Sequence, residues 1–131
     1  GRFLTASYAL LNRNTGQLKV VGAAHPPAAI QDASGNVRFI EVEGDVLGAF
    51  AEARFGRVDC RVKKGDRVVL YTDGLVENIQ SGRAWTATGD RLLQVLRQSS
   101  KVPLEQLPEH LARELAGDSK QDDILVLAFE V

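Results

Sequence analysis

Residues 67–78 read R-V-V-L-Y-T-D-G-L-V-E-N. The run 68–71 is β-branched and aromatic and is too short for a buried helix, which favours a buried strand. The strand is expected to end at Asp73, because Asp-Gly is typical of a turn and Gly74 can take a positive φ. A carboxylate at the end of a buried strand lies on the rim of a sheet, where a hard metal ion finds oxygen ligands on a rigid support. An ordinary strand-end turn is the alternative.

A second acidic motif lies near the C-terminus. Residues 119–123 read S-K-Q-D-D and lead into the apolar, β-prone run I-L-V-L-A-F-E-V at 124–131. Adjacent carboxylates repel one another unless a positive charge lies nearby. If this last run pairs antiparallel with the strand 68–71, Asp122 enters at the rim from which Asp73 leaves. A solvated acidic turn is the alternative interpretation.

Together these motifs resemble the metal-dependent serine/threonine protein phosphatases of type 2C, and more closely their bacterial SpoIIE-type branch. The resemblance rests on Y-T-D-G-L-V-E-N at 71–78 and D-D-I at 122–124. Three more segments fit that branch, namely F-L-T-A at 3–6, A-A-H-P-P at 23–27 and D-V-L-G at 45–48. The resemblance covers the whole chain in order.

The resemblance implies a protein-serine/threonine phosphatase in which two Mn²⁺ or Mg²⁺ ions activate a water that attacks the phosphorus of phosphoserine or phosphothreonine. The implied substrate is a phosphorylated regulatory protein, such as an anti-sigma factor antagonist. An upstream sensor or receiver domain also fits this family.

The family's motifs, carried over by position, assign roles to four residues. Asp73 and Asp122 would each ligate a metal, and Asp123 would orient Asp122 or a bound water. His25 lies in a loop where the family usually has Gly-His, and it would contact the phosphoryl group or relay a proton. A loop histidine that caps backbone groups is the alternative. Ala24 replaces the usual glycine, which restricts the backbone there.

The resemblance also implies that residues 1–131 form the C-terminal portion of a phosphatase domain. Family domains begin with further strands, a first Asp-Gly metal motif and two long helices, and residues 1–131 contain none of these. The aspartate that bridges both ions belongs to that motif, and two carboxylates cannot complete sites that want about six oxygens per ion. Residues 1–131 alone are therefore expected to be inactive. A regulatory pseudophosphatase and a small β-rich binding module remain as alternatives.

Composition excludes several classes of function. The 16 basic and 17 acidic residues give a net charge of −1, which argues against nucleic acid, because its binding rests on a basic face. No apolar stretch approaches the roughly 20 residues of a membrane span, and the chain is interpreted as cytoplasmic. Cys60 has no second cysteine with which to pair and is expected to act as a small buried hydrophobe.

The order of predicted elements indicates an α+β fold with antiparallel strands, and the resemblance implies an antiparallel β-sandwich flanked by helices. We predict that the strands at 68–71 and 124–129 are antiparallel neighbours. An uncovered apolar face, which includes the leucine stripe at 104–115, is expected to make the chain pair with itself or with the other half of the domain. The remaining strands are predicted at 3–11, 17–23, 28–31, 36–42 and 54–62, the last with a bulge near Gly56. A short helix is predicted at 75–79. A second helix is predicted to begin at Thr88 or Asp90 and end at 99–100, and a third to begin at Pro103.

Overall fold

The computed structural model describes residues 2–76, 85–116 and 123–131, with the backbone alone for 85–88. Two 3-10 turns, Asp73–Leu75 and Leu104–Gln106, accompany the strands and helices. The strands are β1 (Ala6–Asn12), β2 (Gln17–Ala23), β3 (Ala28–Gln31), β4 (Val37–Ile40), β5 (Gly56–Arg61), β6 (Arg67–Tyr71) and β7 (Val126–Glu130), and the helices are α1 (Trp85–Gln98) and α2 (Leu107–Ala116).

Two antiparallel sheets, ordered β1-β2-β5 and β4-β3-β6-β7, face each other. Leu18 and Val20 of β2 pack with Ile30 of β3 and Val68 of β6 in one buried cluster between the sheets. Successive strand residues point to opposite faces, so Val69 and Tyr71 point away from that cluster. They pack instead with leucines of both helices, Leu92, Leu96, Leu107 and Leu111. Strand β6 is therefore buried on both faces.

The predicted pairing of the two apolar runs is confirmed. Strands β6 and β7 are antiparallel neighbours, and their register places Val69 opposite Ala128 and Tyr71 opposite Val126. The apolar sequence of β7 suggested a central strand, yet β7 lies at the edge of its sheet among the described strands. Leu127 is consequently 56% exposed.

The helix boundaries differ from the predicted ones. Helix α1 begins at Trp85 rather than at Thr88 or Asp90, because packing of its leucines outweighs the weak local preference for a cap. The predicted helix at 75–79 is the 3-10 turn Asp73–Leu75, and residues 77–79 lie outside the described residues. Strand β5 begins at Gly56 without the predicted bulge, and its register with β2 is regular.

The leucine stripe is not an uncovered face, contrary to the prediction. Leu107 and Leu111 are 0% exposed and Leu115 is 6% exposed, because β6, the turn after it and α1 already cover this side of α2. The exposed large apolar side chains lie elsewhere, at Phe3, Leu4, Tyr8, Leu10, Phe50, Phe55, Leu125 and Leu127.

Cys60 is half-buried and packs against the cluster between the sheets. Burial raises the pKa of its thiol above the ordinary value, which agrees with its predicted role as a small hydrophobe. Among the described residues, no helix has the length and apolar character that crossing a membrane requires.

Candidate active site

The two acidic motifs meet at one rim of the four-stranded sheet. Tyr71 pairs with Val126 at the end of the β6–β7 ladder. One residue further on, the backbone N–H of Thr72 donates to the carbonyl oxygen of Leu125 at 3.0 Å. The turn that carries Asp73 therefore leaves the sheet where the segment 123–125 enters it.

The Thr72 side chain adds two hydrogen bonds at this rim. Its hydroxyl accepts from the Leu125 backbone N–H at 2.9 Å and donates to the Asp123 carbonyl oxygen at 3.3 Å. Thr72 is not among the predicted site residues. Its place next to Asp73 at a strand end could have indicated such a role, because a threonine hydroxyl readily forms hydrogen bonds with nearby backbone.

Asp73 is the first residue of the 3-10 turn, and it is exposed. Its carboxylate forms no ion pair or side-chain hydrogen bond with any residue in 2–76, 85–116 or 123–131. The expected positive φ at Gly74 is absent, because a 3-10 turn uses negative φ angles throughout. The turn leaves the Asp73 carboxylate accessible on a rigid strand end.

Tyr71 precedes Asp73 by two residues, and its side chain is only 2% exposed. Burial raises the pKa of the Tyr71 hydroxyl well above its ordinary value, and the negative charge of Asp73 raises it further. The hydroxyl has no hydrogen-bond partner among the residues that the structure describes. Tyr71 therefore stays neutral as a buried side chain two residues before Asp73.

Asp73 and Asp123 are the carboxylates of the two acidic motifs that the structure describes at this rim, and Asp122 lies outside the described residues. Asp73 offers exposed carboxylate oxygens, the ligand type that Mn²⁺ and Mg²⁺ prefer. Asp123 is exposed at the same rim. Within the described parts of the chain, no three His, Cys, Asp or Glu side chains come together as a metal site. The carboxylate oxygens of Asp73 are suitable ligands for a divalent cation. A complete site needs further ligands besides Asp73.

The His25 loop approaches the same rim from the other side of β6. Ala29 of β3 pairs with Val69 of β6 in antiparallel register, so β3 begins where β6 ends. His25 is half-buried, and its Nδ1 lies 3.2 Å from the Thr5 hydroxyl oxygen. This contact leaves Nε2 as the ring nitrogen available to a ligand.

Ala24, which precedes His25, has a φ of 48° and is the one non-glycine residue with positive φ among the described residues. Its N–H donates to the Gly44 carbonyl oxygen at 3.1 Å. The alanine thus keeps the left-handed backbone that a glycine would adopt freely, at a cost of about 1–2 kcal/mol.

The chain is similar to known proteins over almost its whole length. RsbP of Bacillus subtilis (strain 168), a phosphoserine phosphatase, is 26% identical over 133 residues, which cover 98% of this chain and 31% of RsbP. The chain therefore spans about a third of the length of this curated relative.

Two solved structures show the same fold. The RsbU and RsbW domains of Rv1364c from Mycobacterium tuberculosis superpose with a TM-score of 0.82 at 23% identity, covering 96% of this chain and 36% of that one. The Mn-presoaked phosphatase domain of SpoIIE from Bacillus subtilis gives a TM-score of 0.72 at 14% identity, covering 97% of this chain and 56% of that one.

These likenesses confirm the predicted α+β class with its helix-flanked antiparallel sheets. The family described as Stage II sporulation protein E (SpoIIE) matches residues 1–131. The chain belongs to the SpoIIE family.

Proposed function

We propose that the chain is part of a metal-dependent serine/threonine protein phosphatase that hydrolyses phosphoserine or phosphothreonine on a regulatory protein. The observation that carries this proposal is the pairing of β6 with β7, which brings Asp73 and the Asp123 backbone to one rim. The naming of RsbP as a phosphoserine phosphatase supports the same class of reaction.

Asp73 and Asp122 are the proposed metal ligands, and Asp123 is proposed to orient Asp122 or a bound water. Two Mn²⁺ or Mg²⁺ ions, when bound, would supply a water of lowered pKa and neutralise charge on the phosphate oxygens. The Mn-presoaked SpoIIE phosphatase domain supports this class of ion. Asp73 suits the role because its carboxylate is exposed while the strand beneath it is buried.

His25 is proposed to contact the phosphoryl group. Its Nδ1 faces the Thr5 hydroxyl, so Nε2 is the atom that would donate to a phosphate oxygen or carry a proton. The strained backbone at Ala24 sets the direction in which the loop presents His25. Neither role requires His25 to hold a metal.

The proposed substrate is a phosphorylated protein of the kind that antagonises an anti-sigma factor, in the cytoplasm. The structure that joins RsbU and RsbW domains supports a protein partner. An upstream sensor or receiver domain remains part of this proposal.

The full-length protein and a phosphoserine peptide test the proposal. Mn²⁺ should support hydrolysis and raise the unfolding temperature, because an ion that binds only the native state stabilises it by mass action. Asp73→Asn should abolish nearly all hydrolysis and most of the stabilisation. Asp59→Asn, on β5 of the other sheet, is the matched control and should behave as wild type. Wild-type hydrolysis by Asp73→Asn would overturn the assignment of Asp73.

A separate variant, His25→Asn, tests the proposed role of His25. His25→Asn should lower the rate of hydrolysis by about 10²-fold or more, the range for loss of a proton-transfer group, while Mn²⁺ affinity stays close to wild type. A variant that loses metal affinity as well would place His25 among the ligands instead.

A binding role without catalysis is the second candidate. The exposed side chains of Phe3, Leu4, Tyr8 and Leu10 favour it, because they lie near one another in the sequence and exposed apolar surface marks interaction sites. Absence of Mn²⁺-dependent hydrolysis in the full-length wild-type protein, with retained binding to a protein partner, would establish it.

A further inference from the structure

One hydroxyl group, that of Thr72, joins β6 to the acidic segment before β7 through two hydrogen bonds. After the Tyr71–Val126 pair the regular ladder ends, and Leu125 N–H donates to the Thr72 hydroxyl rather than to a backbone carbonyl. The same hydroxyl donates to the Asp123 carbonyl oxygen. A threonine hydroxyl has one donor hydrogen, so Thr72 commits that hydrogen to the segment 123–125.

Local capping does not explain this hydroxyl. Thr72 occupies the N-cap position of the 3-10 turn Asp73–Leu75, where a threonine side chain usually accepts a hydrogen bond from the turn. Here its side chain makes no capping bond. It bonds across to the neighbouring strand, 51 to 53 positions away in the sequence.

Apolar packing of this segment rests on Ile124, which is half-buried and packs against the core beneath the helices. Asp123 is exposed, and Leu125 is 68% exposed. The Thr72 hydroxyl bonds and the Thr72 N–H bond to Leu125 add to that packing where the segment passes the turn that carries Asp73.

We infer that Thr72 is a positioning residue, which fixes the backbone of residues 123–125 beside the turn that carries Asp73 without itself contacting substrate. This inference rests on the proposed function. A residue that orients metal ligands typically changes metal affinity or activity 10–100-fold when it is lost. Thr72→Val keeps the shape of the side chain and removes the hydroxyl, whereas Thr72→Ser keeps the hydroxyl.

The experiment is titration calorimetry of the full-length protein with Mn²⁺. Thr72→Val should weaken Mn²⁺ binding by about 10–100-fold, and Thr72→Ser should restore it close to wild type. Thr15→Val is the matched control, because the Thr15 hydroxyl accepts a hydrogen bond from Gln17 N–H in the β1–β2 turn. That variant should bind Mn²⁺ as wild type does.

Amide hydrogen exchange at Leu125 supplies a second readout, which should be faster in Thr72→Val and unchanged in Thr72→Ser and Thr15→Val. If Thr72→Val does not fold by circular dichroism, Thr72→Ala takes its place with the same expectations. Wild-type Mn²⁺ affinity in the variant that lacks the hydroxyl would overturn the inference alone. A wild-type protein that binds no Mn²⁺ would overturn the proposed function, and the inference with it.

Discussion

Arg67 and Glu130 form an ion pair, with 3.1 Å between Nε and Oε2, at the end of the β6–β7 ladder opposite the candidate site. The Arg67 side chain is only 15% exposed, and its guanidinium also donates to the Val102 carbonyl oxygen at 2.8 Å. Arg67 thus joins β7 and the loop before α2 to the central strand. These bonds lie at the end of the ladder opposite to the one that carries Asp73.

Arg67→Ala is therefore expected to lower the free energy of unfolding by about 2 kcal/mol, since the Val102 carbonyl loses a charged donor. Glu130→Gln should cost less than about 1 kcal/mol, because Glu130 is 44% exposed and solvent screens its charge. Urea unfolding measures both. Arg57→Ala, which removes an ion pair with 60% and 37% exposed side chains, is the control and should change little. Equal effects of Arg67→Ala and Arg57→Ala would contradict the role given to Arg67.

Ala24→Gly is expected to stabilise the protein by about 1 kcal/mol, because glycine adopts a φ of 48° without the strain that a Cβ introduces. The matched control is Ala33→Gly. Ala33 lies in the β3–β4 turn and has no positive φ, so its replacement should not stabilise. Thermal unfolding of both variants checks the difference, and destabilisation by Ala24→Gly would show that the loop is relaxed.

Asp32 should make stability depend on acid pH. Hydrogen bonds from the Ser34 and Asn36 side chains lower the pKa of Asp32 from 3.8 to about 2. Because the pKa in the folded state is depressed, the stabilising contribution is complete above the ordinary value and is lost as pH falls toward about 2.

The Asp32 dependence is measured as urea midpoints at about pH 5 and about pH 3, the window in which the linkage acts. The wild type should lose more stability across this window than Asp32→Asn. Ser34→Ala, which removes the largest cause of the shift, should give an intermediate result. Parallel pH profiles for wild type and Asp32→Asn would refute the linkage.

Residues 1–131, prepared without further polypeptide, are expected to self-associate. Tyr8 and Leu10 are 61% and 50% exposed on β1, which is an edge strand among the described strands. Exposed apolar side chains on an open edge favour association. Light scattering should show a larger particle than the monomer, and Leu10→Lys should reduce its size. Gln17→Lys, at the exposed start of β2, adds the same charge as a control. A monodisperse wild-type monomer would contradict this prediction.

The sequence by itself determined the family, the α+β class and the antiparallel pairing of β6 with β7. These follow from local signals. The runs at 68–71 and 124–131 are β-prone along their length. Elsewhere, apolar residues recur at strand or helix spacing, and turn-forming residues separate the elements. The meeting of the two acidic motifs at one rim followed from that pairing, although Asp122 itself stays a prediction.

The tertiary structure alone decided which surfaces are covered and which hydroxyl holds the rim together. The leucine stripe of α2 is buried because β6 and α1 pack on it, and β7 is exposed because it lies at the edge of the described sheet. Thr72 occupies the N-cap position of the 3-10 turn, yet its hydroxyl makes no capping bond and instead bonds to Leu125 and Asp123 across the sheet. Ala24 likewise adopts a left-handed conformation that its residue type disfavours. These features depend on contacts between residues far apart in the chain. Local sequence pattern and propensity therefore cannot predict them.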